Sequence, residues 1–221
     1  MENPAIRMNT AILGAYFKHL KTLVSTGLTE KINELLLSDD PFKKKVDILD
    51  SIIKEHNIKE DIGELMFDVL LYNFFSEDSQ RLGESFFESK EWEKMEDSII
   101  ERGTELLNIL LYLQECKDSE IRYSIDDYLD EYLMTEEDLD QEEHEVYEAV
   151  IKNRETIAEG DLQTMVEISN NNPDSELGDQ LLPFLLFFEM QSGITKKFEL
   201  IDENGSNPGF QSSFLAALNV F

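Results

Sequence analysis

Acidic side chains crowd one stretch of this chain, residues 125–148, where twelve Asp and Glu occur without a Lys or Arg. Carboxylate oxygens are the ligands that Mg²⁺ prefers, and they also pair with the basic groups of other proteins. Asp126, Asp127 and Asp130 have the spacing of neighbours on one helical turn. The residue types therefore allow two kinds of chemistry, metal-assisted phosphate chemistry and recognition of a basic partner.

Two short motifs point towards the first kind. Residues 126–130, Asp-Asp-Tyr-Leu-Asp, are similar to the Asp-Asp-x-x-Asp motif with which all-helical isoprenoid synthases hold magnesium and a diphosphate. Residues 136–140 and 176–179 loosely resemble the paired acidic motifs of all-helical nucleotide pyrophosphohydrolases, with Asp in place of the third Glu and a longer gap. These resemblances imply one alternative function, a Mg²⁺-dependent enzyme that processes phosphates or nucleotides.

Helical geometry favours a different interpretation of residues 125–133. At roughly 100° per residue, the acids of this segment cluster on one side and its apolar residues on the opposite side. The enzyme would need acids that face a cavity between helices, whereas here the apolar side is the one expected to face inward. No catalytic residue, metal ligand or cofactor is therefore predicted, and an enzyme is the less favoured class.

The net charge is −29, and it is unevenly distributed. Residues 1–60 carry nine Lys/Arg and nine Asp/Glu, so residues 61–221 hold the whole acidic excess. Such a surface repels nucleic-acid phosphates and anionic membranes, so direct binding of either is not expected. It favours a basic protein partner instead.

The sequence thus predicts a non-enzymatic helical module that binds a basic protein through acidic residues interleaved with tyrosines. A chaperone, an immunity protein or antitoxin, and an adaptor all fit this description. Tyr side chains suit an Arg-rich partner through cation–π contact, although the same rings could instead pack inward behind a solvated acidic face. The predicted partner-binding residues are Asp126, Asp127, Asp130, Glu131, Glu136, Glu137, Asp140 and Glu143.

Two further alternatives remain open at this stage. A DNA mimic would carry its acids at phosphate-like spacing on one surface, and a purely structural acidic protein would have no partner at all. The sequence leaves the oligomeric state undecided.

Apolar residues at helical spacing recur along most of the chain, and Gly and Pro are scarce at ten and five. The predicted fold class is all-α, one domain over residues 1–221 with about eight to ten helices, arranged as a bundle or an irregular α-solenoid-like array. A sub-boundary is expected at the Asn-rich loop of residues 170–175.

Several helix ends are predicted from single residues. Asp40 is expected to cap a helix that starts at Pro41, and residues 57–60 are expected to form a capping box. Gly103 is expected to bend or break a long helix. One helix is expected from Thr135 to about residue 157, starting at a capping box, and another over residues 176–191. Residues 194–201 are ambiguous, because part of this segment alternates like a strand.

Three segments share a pattern of a glycine followed by apolar residues, at positions 63–72, 103–112 and 178–187. They could be repeats of an array with a concave binding face, or unrelated central helices that each need a wide apolar face.

The chain has one cysteine, Cys116, for which a buried structural thiol is expected. The first residues lack the charged and apolar regions of a signal peptide, and the longest apolar block is too short to span a bilayer. A soluble cytoplasmic protein is the expectation.

Overall fold

Helices make up the regular structure in the computed structural model of this chain. The structure describes residues 3–22, 26–78, 86, 89–90, 92–93, 96, 102–133, 145–189 and 191–221. Within these ranges the chain forms helices and no β-strand. The all-α fold class predicted from apolar periodicity is therefore confirmed.

The chain divides into two compact units. The first comprises Met1–Leu111 and Ala216–Val220, and the second comprises Tyr112–Leu215 and Phe221. The prediction of a single domain with a sub-boundary at residues 170–175 stays a prediction.

The first unit begins with four helices. They are α1 (Pro4–His19), α2 (Thr26–Leu37), α3 (Phe42–Glu55) and α4 (Glu60–Asn73), followed by a π-helical turn at Phe74–Asp78. Helix α1 starts where it does because the Asn3 side chain accepts a hydrogen bond from the Ala5 N–H and because Pro4 has no N–H that would need an acceptor.

Helix α4 is the centre of the first unit. Every residue from 65 to 73 is buried, and α1 and α3 pack against it. A helix buried on nearly all sides must satisfy its polar groups internally. Asn73 does so by donating to the Leu36 carbonyl at 3.2 Å and accepting from Asn3 at 3.1 Å.

The remaining helices follow in chain order, and the division between the two units falls inside the first and the last of them. They are α5 (Glu105–Asp118), α6 (Ile125–Leu133), α7 (Glu148–Lys152), α8 (Arg154–Glu159), α9 (Leu162–Asn171), α10 (Leu181–Phe188), α11 (Ile194–Asn204) and α12 (Pro208–Leu218), with a 3₁₀ turn at Gly178–Gln180.

Aromatic residues form much of the core of the second unit. All eight residues of α10 are buried. Phe184 lies between Tyr128 and Tyr147, with ring centroids 5.8 and 5.7 Å away, and Phe188 lies 5.0 Å from Phe184. These tilted and edge-on arrangements are the ones that aromatic pairs prefer. They fix α6 and the start of α7 around α10.

Two predicted helix caps are wrong. Pro41 occupies the N-cap position of α3 and makes no side-chain cap bond, while Asp40 instead pairs with Lys44 at 2.7 Å. Lys59 occupies the N-cap of α4, and Asn57 adopts a left-handed backbone with φ of 51°. A residue in that conformation lies outside the helix, so the capping box predicted over residues 57–60 does not form.

Other boundaries also differ from the prediction. Residues 194–201 are helical throughout, so the strand-like alternation there was misleading. The helix predicted from position 135 is interrupted at Asn153, which separates α7 from α8. The predicted start at Thr135 lies outside the described residues. The predicted break at Gly103 is confirmed, because α5 begins only after Thr104.

The three glycine-led segments place their glycines differently. Gly63 is inside α4, where a Cβ would lie 3.1 Å from the Ile53 side chain. Gly103 precedes α5, and Gly178 has a left-handed backbone with φ of 50°. The three glycines therefore differ in their positions relative to the helices, and whether the segments are repeats stays a prediction.

Cys116 is buried, as predicted. In the described part of the chain, no helix has both the length and the apolar character needed to cross a membrane.

Candidate partner-binding surface

The acidic residues of α6 lie on its outer side. Ile125, Tyr128 and Leu129 are buried, whereas the side chains of Asp126 and Asp130 are about half exposed. The predicted separation of acidic and apolar faces is confirmed for residues 125–130, whose side chains the structure describes. Since the acids point away from the interior, residues 126–130 do not line a cavity between helices as the isoprenoid synthase motif would.

Two acids of this face already share an internal partner. Arg154 Nε donates to Asp126 Oδ1, and its terminal nitrogens lie 3.0 and 3.2 Å from the two oxygens of Asp130. The hydrogen bonds that Arg154 donates to Asp130 and Asp126 raise the pKa of its guanidinium above the usual value. The like-charge repulsion expected between acids one turn apart is thus relieved by a cation from α8.

The third acid, Asp127, also has a partner within the chain. Its Oδ2 accepts from the Ser124 hydroxyl at 2.7 Å, while the Ser124 Oγ accepts from the Asp127 N–H at 3.1 Å. This reciprocal arrangement satisfies a donor at the start of α6. Ser124 is therefore the N-cap of α6, and Asp127 supports this cap by accepting the Ser124 hydroxyl.

The other predicted partner-binding residues cannot be placed in the same way. Glu131 belongs to α6, but its side chain is outside the described part of the structure. Glu136, Glu137, Asp140 and Glu143 lie outside the described residues.

Two tyrosines of the acidic stretch, Tyr128 and Tyr147, pack inward. Tyr128 and Tyr147 are almost fully buried, and their hydroxyl oxygens are 2.6 Å apart. Tyr123 stacks on Phe187 with a centroid distance of 5.1 Å. Burial keeps Tyr128 and Tyr147 from reaching a cation of another protein, so of the two open interpretations the inward-packing one holds for them.

A groove in the second unit gathers acids from two parts of the chain. One wall is formed by Glu145, Glu148 and Ala149, at and just before the start of α7, and the other by residues 171–176, which begin with the last residue of α9. The groove has a volume of about 410 Å³. We call it the acidic groove, and its described lining residues are Glu145, Glu148, Ala149, Asn171, Asn172, Pro173, Asp174, Ser175 and Glu176.

Local hydrogen bonds fix the loop wall of the acidic groove. The Asn172 side chain donates to the Ile168 carbonyl at 2.8 Å, and the Ser175 N–H donates to the Asn172 carbonyl at 3.2 Å. The Gly178 N–H then donates to the Ser175 carbonyl at 2.8 Å. Successive turns of this kind hold a short loop in one conformation.

The acidic groove carries charge of one sign. Glu145, Glu148, Asp174 and Glu176 are exposed, and the described lining contains four carboxylates and no Lys or Arg. Lys152 contacts Glu148 from one turn further along the helix, outside the described lining. Exposed pairs of this kind are weak. The groove therefore keeps a negative potential.

Sequence reasoning did not identify the acidic groove. Glu145 and Glu148 belong to the acidic stretch, but Asp174 and Glu176 lie beyond α8 and α9. The Asn-rich loop and its acidic flank were the available signal. Their closeness to the start of α7 depends on how three helices pack, which no spacing in the sequence encodes.

No site for a metal ion is evident in the part of the chain that the structure describes, where no group of three His, Cys, Asp or Glu side chains is arranged to hold one.

A buried ion pair elsewhere in the second unit has a structural role. The Lys197 ammonium lies 3.9 Å from the Glu189 carboxylate and donates to the carbonyls of Phe187 and Glu189 at the end of α10. The Glu189 carboxylate also accepts the N–H groups of Gln191 and Ser192 at 3.1 and 3.2 Å. Burial lowers the pKa of Lys197. These contacts hold the end of α10 in place.

Comparison with known protein families, with curated proteins and with solved structures finds no match to this chain.

Proposed function

We propose that this protein is a non-enzymatic binding module and that its acidic groove receives Lys or Arg side chains of a basic protein segment. The observation that carries the proposal is the groove itself, in which four carboxylates from two walls surround a space of about 410 Å³. That volume lies in the range of roughly 300–1,000 Å³ that is usual for binding sites.

Electrostatics supports a basic ligand. Each exposed carboxylate attracts a distant cation weakly, but acids of one sign around a concave surface add their potentials. Such a site speeds the encounter with a basic partner and loses affinity as salt is added. An acidic or neutral ligand would gain nothing from this arrangement.

The acidic groove is a better candidate than the outer face of α6. Asp126 and Asp130 are already paired with Arg154, so a partner would have to displace that guanidinium before it could use them. The described lining of the groove contains no Lys or Arg, and Lys152, which lies outside that lining, makes only an exposed contact with Glu148.

A chaperone, an immunity protein or antitoxin, or an adaptor would each use a surface of this kind. The proposal includes a cytoplasmic location and no direct binding of nucleic acid, because an acidic surface repels phosphates.

Calorimetric titration with an Arg-rich peptide tests the proposal. A groove variant combines Glu145→Gln, Glu148→Gln, Asp174→Asn and Glu176→Gln. The native protein should bind the peptide at low salt, and the groove variant should bind at least about tenfold more weakly, equivalent to about 1.4 kcal/mol. A Glu-rich peptide of equal length should not bind either protein.

A matched control separates the acidic groove from net charge. Glu159, Glu167, Asp202 and Glu203 are exposed acids outside the groove lining, and their neutralisation changes the net charge by the same amount. This control variant should keep most of the affinity. Equal loss in both variants would mean that the peptide senses overall charge, and the groove would then be excluded as the site.

A further inference from the structure

The start of helix α5 is hydrogen-bonded to the middle of α4 through the buried Asp68. Asp68 Oδ2 accepts the Thr104 hydroxyl at 2.5 Å, and the Thr104 N–H lies 3.3 and 3.2 Å from Oδ1 and Oδ2. The Thr104 Oγ in turn accepts the Leu106 N–H at 3.2 Å. Thr104 is therefore the N-cap of α5, and Asp68 holds that cap from another helix.

Arg102, which precedes Gly103, also contacts residues of other helices. The Arg102 guanidinium makes two hydrogen bonds to the Asp50 carboxylate, at 2.8 and 3.3 Å, and lies 4.5 Å from the centroid of the Phe67 ring. Arg102 is thus paired with Asp50, and no hydrogen bond joins it to Asp68 among the described contacts.

Asp68 has no exposed surface. Both donors to its carboxyl come from Thr104, and no cation is bonded to it among the described residues. Burial raises the pKa of this carboxyl well above its ordinary value of 3.8, and the bonds from Thr104 oppose that rise only in part. A buried carboxyl without a cationic partner is more stable in its neutral form.

Two neighbouring carboxylates act in the same direction as burial. Glu64, one turn earlier on α4, and Glu105, the first residue of α5, both disfavour a further negative charge. Helix α3 contributes the buried Lys45 and the paired Asp50, and the buried face of α1 carries Tyr16 as its ionisable group. The acidic neighbours therefore add to the effect of burial.

We propose that the contact between Asp68 and Thr104 is a pH-sensitive clasp. It holds the first turn of α5 against α4 while the buried carboxyl is neutral, and it loosens when that carboxyl releases its proton to water. In the closed state a neutral Asp68 can both donate to and accept from Thr104. In the open state the carboxylate is solvated and Thr104 still caps α5.

The direction of the pH effect follows from proton linkage. The closed clasp binds the Asp68 proton more tightly than the open clasp does, so closing is favoured below the ordinary carboxyl pKa of 3.8. As pH rises from that value towards the raised pKa of the closed state, the opening equilibrium increases by up to about tenfold per pH unit. Above the raised pKa it becomes constant again.

Hydrogen exchange of the native protein tests the clasp. The protection factors of the Leu106 and Leu107 amides, corrected for intrinsic exchange, should fall as pH rises through this window. Amides of α1 provide an internal reference and should stay constant. Carboxyl NMR titration should find Asp68 protonated well above pH 3.8. A titration at or below that value, or constant protection at Leu106 and Leu107, overturns the proposal.

Three variants separate the clasp from general stability. Asp68→Asn keeps an acceptor for Thr104 but has no proton to lose, so protection at the start of α5 should become independent of pH. Thr104→Val should lower protection at every pH and keep the pH dependence. Asp61→Asn removes a partly exposed acid of the same helix and should leave the native profile intact. Loss of the profile in Asp61→Asn would contradict the assignment to Asp68.

Discussion

Single side chains decide what the acidic stretch of this protein can do. The hydroxyl groups of Tyr128 and Tyr147 are hydrogen-bonded to each other inside the second unit, with their oxygens 2.6 Å apart. Buried Tyr side chains commonly find a hydrogen-bond partner in this way. A pattern of alternating Tyr and acidic residues therefore describes a helix with an aromatic core face, and a binding surface has to be sought elsewhere.

Removal of one of these hydroxyls should be costly. Tyr147→Phe removes the 2.6 Å contact between the buried hydroxyls of Tyr147 and Tyr128, and should destabilise the protein by about 0.5–1.5 kcal/mol, the net value of a typical hydrogen bond. Tyr128→Phe should act similarly. The double variant should cost less than the sum of the two, with a coupling of about 0.5–1.5 kcal/mol measured by urea denaturation. Additive effects would show that the two hydroxyls do not depend on each other.

Gly14 and Gly205 are expected to respond in opposite ways to substitution by alanine. Gly14 is an exposed interior residue of α1, and a Cβ there would meet nothing within 4 Å. Gly205 follows α11, where a Cβ would clash with Gln211 Oε1 and lie 2.7 Å from the Ile201 carbonyl oxygen. There is room for a side chain at Gly14, whereas at Gly205 the neighbouring atoms lie too close for a Cβ.

Substitution of each glycine by alanine tests this difference through its effect on the stability of the protein. Gly14→Ala should stabilise the protein by about 0.5–1 kcal/mol because it reduces the backbone freedom of the unfolded chain. Gly205→Ala should destabilise it by about 1–3 kcal/mol through steric overlap. Thermal or urea denaturation measures both. If Gly205→Ala were neutral, Gln211 would have to reorient without loss of its bond to the Asp179 carbonyl.

Helix content was predictable from this sequence, whereas many helix ends were not. Apolar spacing defined most helices because it depends only on which face is buried. Asn57 does not cap a helix because its backbone is in the left-handed conformation. Asp40 does not cap one because its carboxylate pairs with Lys44 instead. Local patterns cannot show which of two nearby partners a polar side chain takes.

The candidate site was less predictable for a related reason. Arg154 reaches Asp126 and Asp130 from 28 and 24 residues away, so the sequence showed acids without a counter-ion. The acidic groove likewise joins the start of α7 to the loop after α9. The negative sign of the surface charge could be predicted from composition. Which acids form ion pairs, and where the surface forms a groove, depend on tertiary packing.

For the whole molecule, a net charge of −29 sets the response to salt. Repulsion among acids opposes the compact state, and dissolved ions weaken it. An increase in salt from about 10 mM to about 150 mM shortens the screening distance from about 30 Å to about 8 Å. The melting temperature should therefore rise over this range, as measured by circular dichroism. An unchanged or lower melting temperature would mean that attractive ion pairs outweigh the repulsion.

Helix α10, with all eight of its residues buried, also has a consequence for the chain before it folds. Leu181–Phe188 is then an exposed apolar run, the kind of segment through which unfolded chains associate with one another. Asp179 and Glu189 flank it, and Pro183 interrupts it. Charges and a proline at such positions act as gatekeepers against β-aggregation. The acidic composition thus protects newly made chains from each other while α10 is still uncovered.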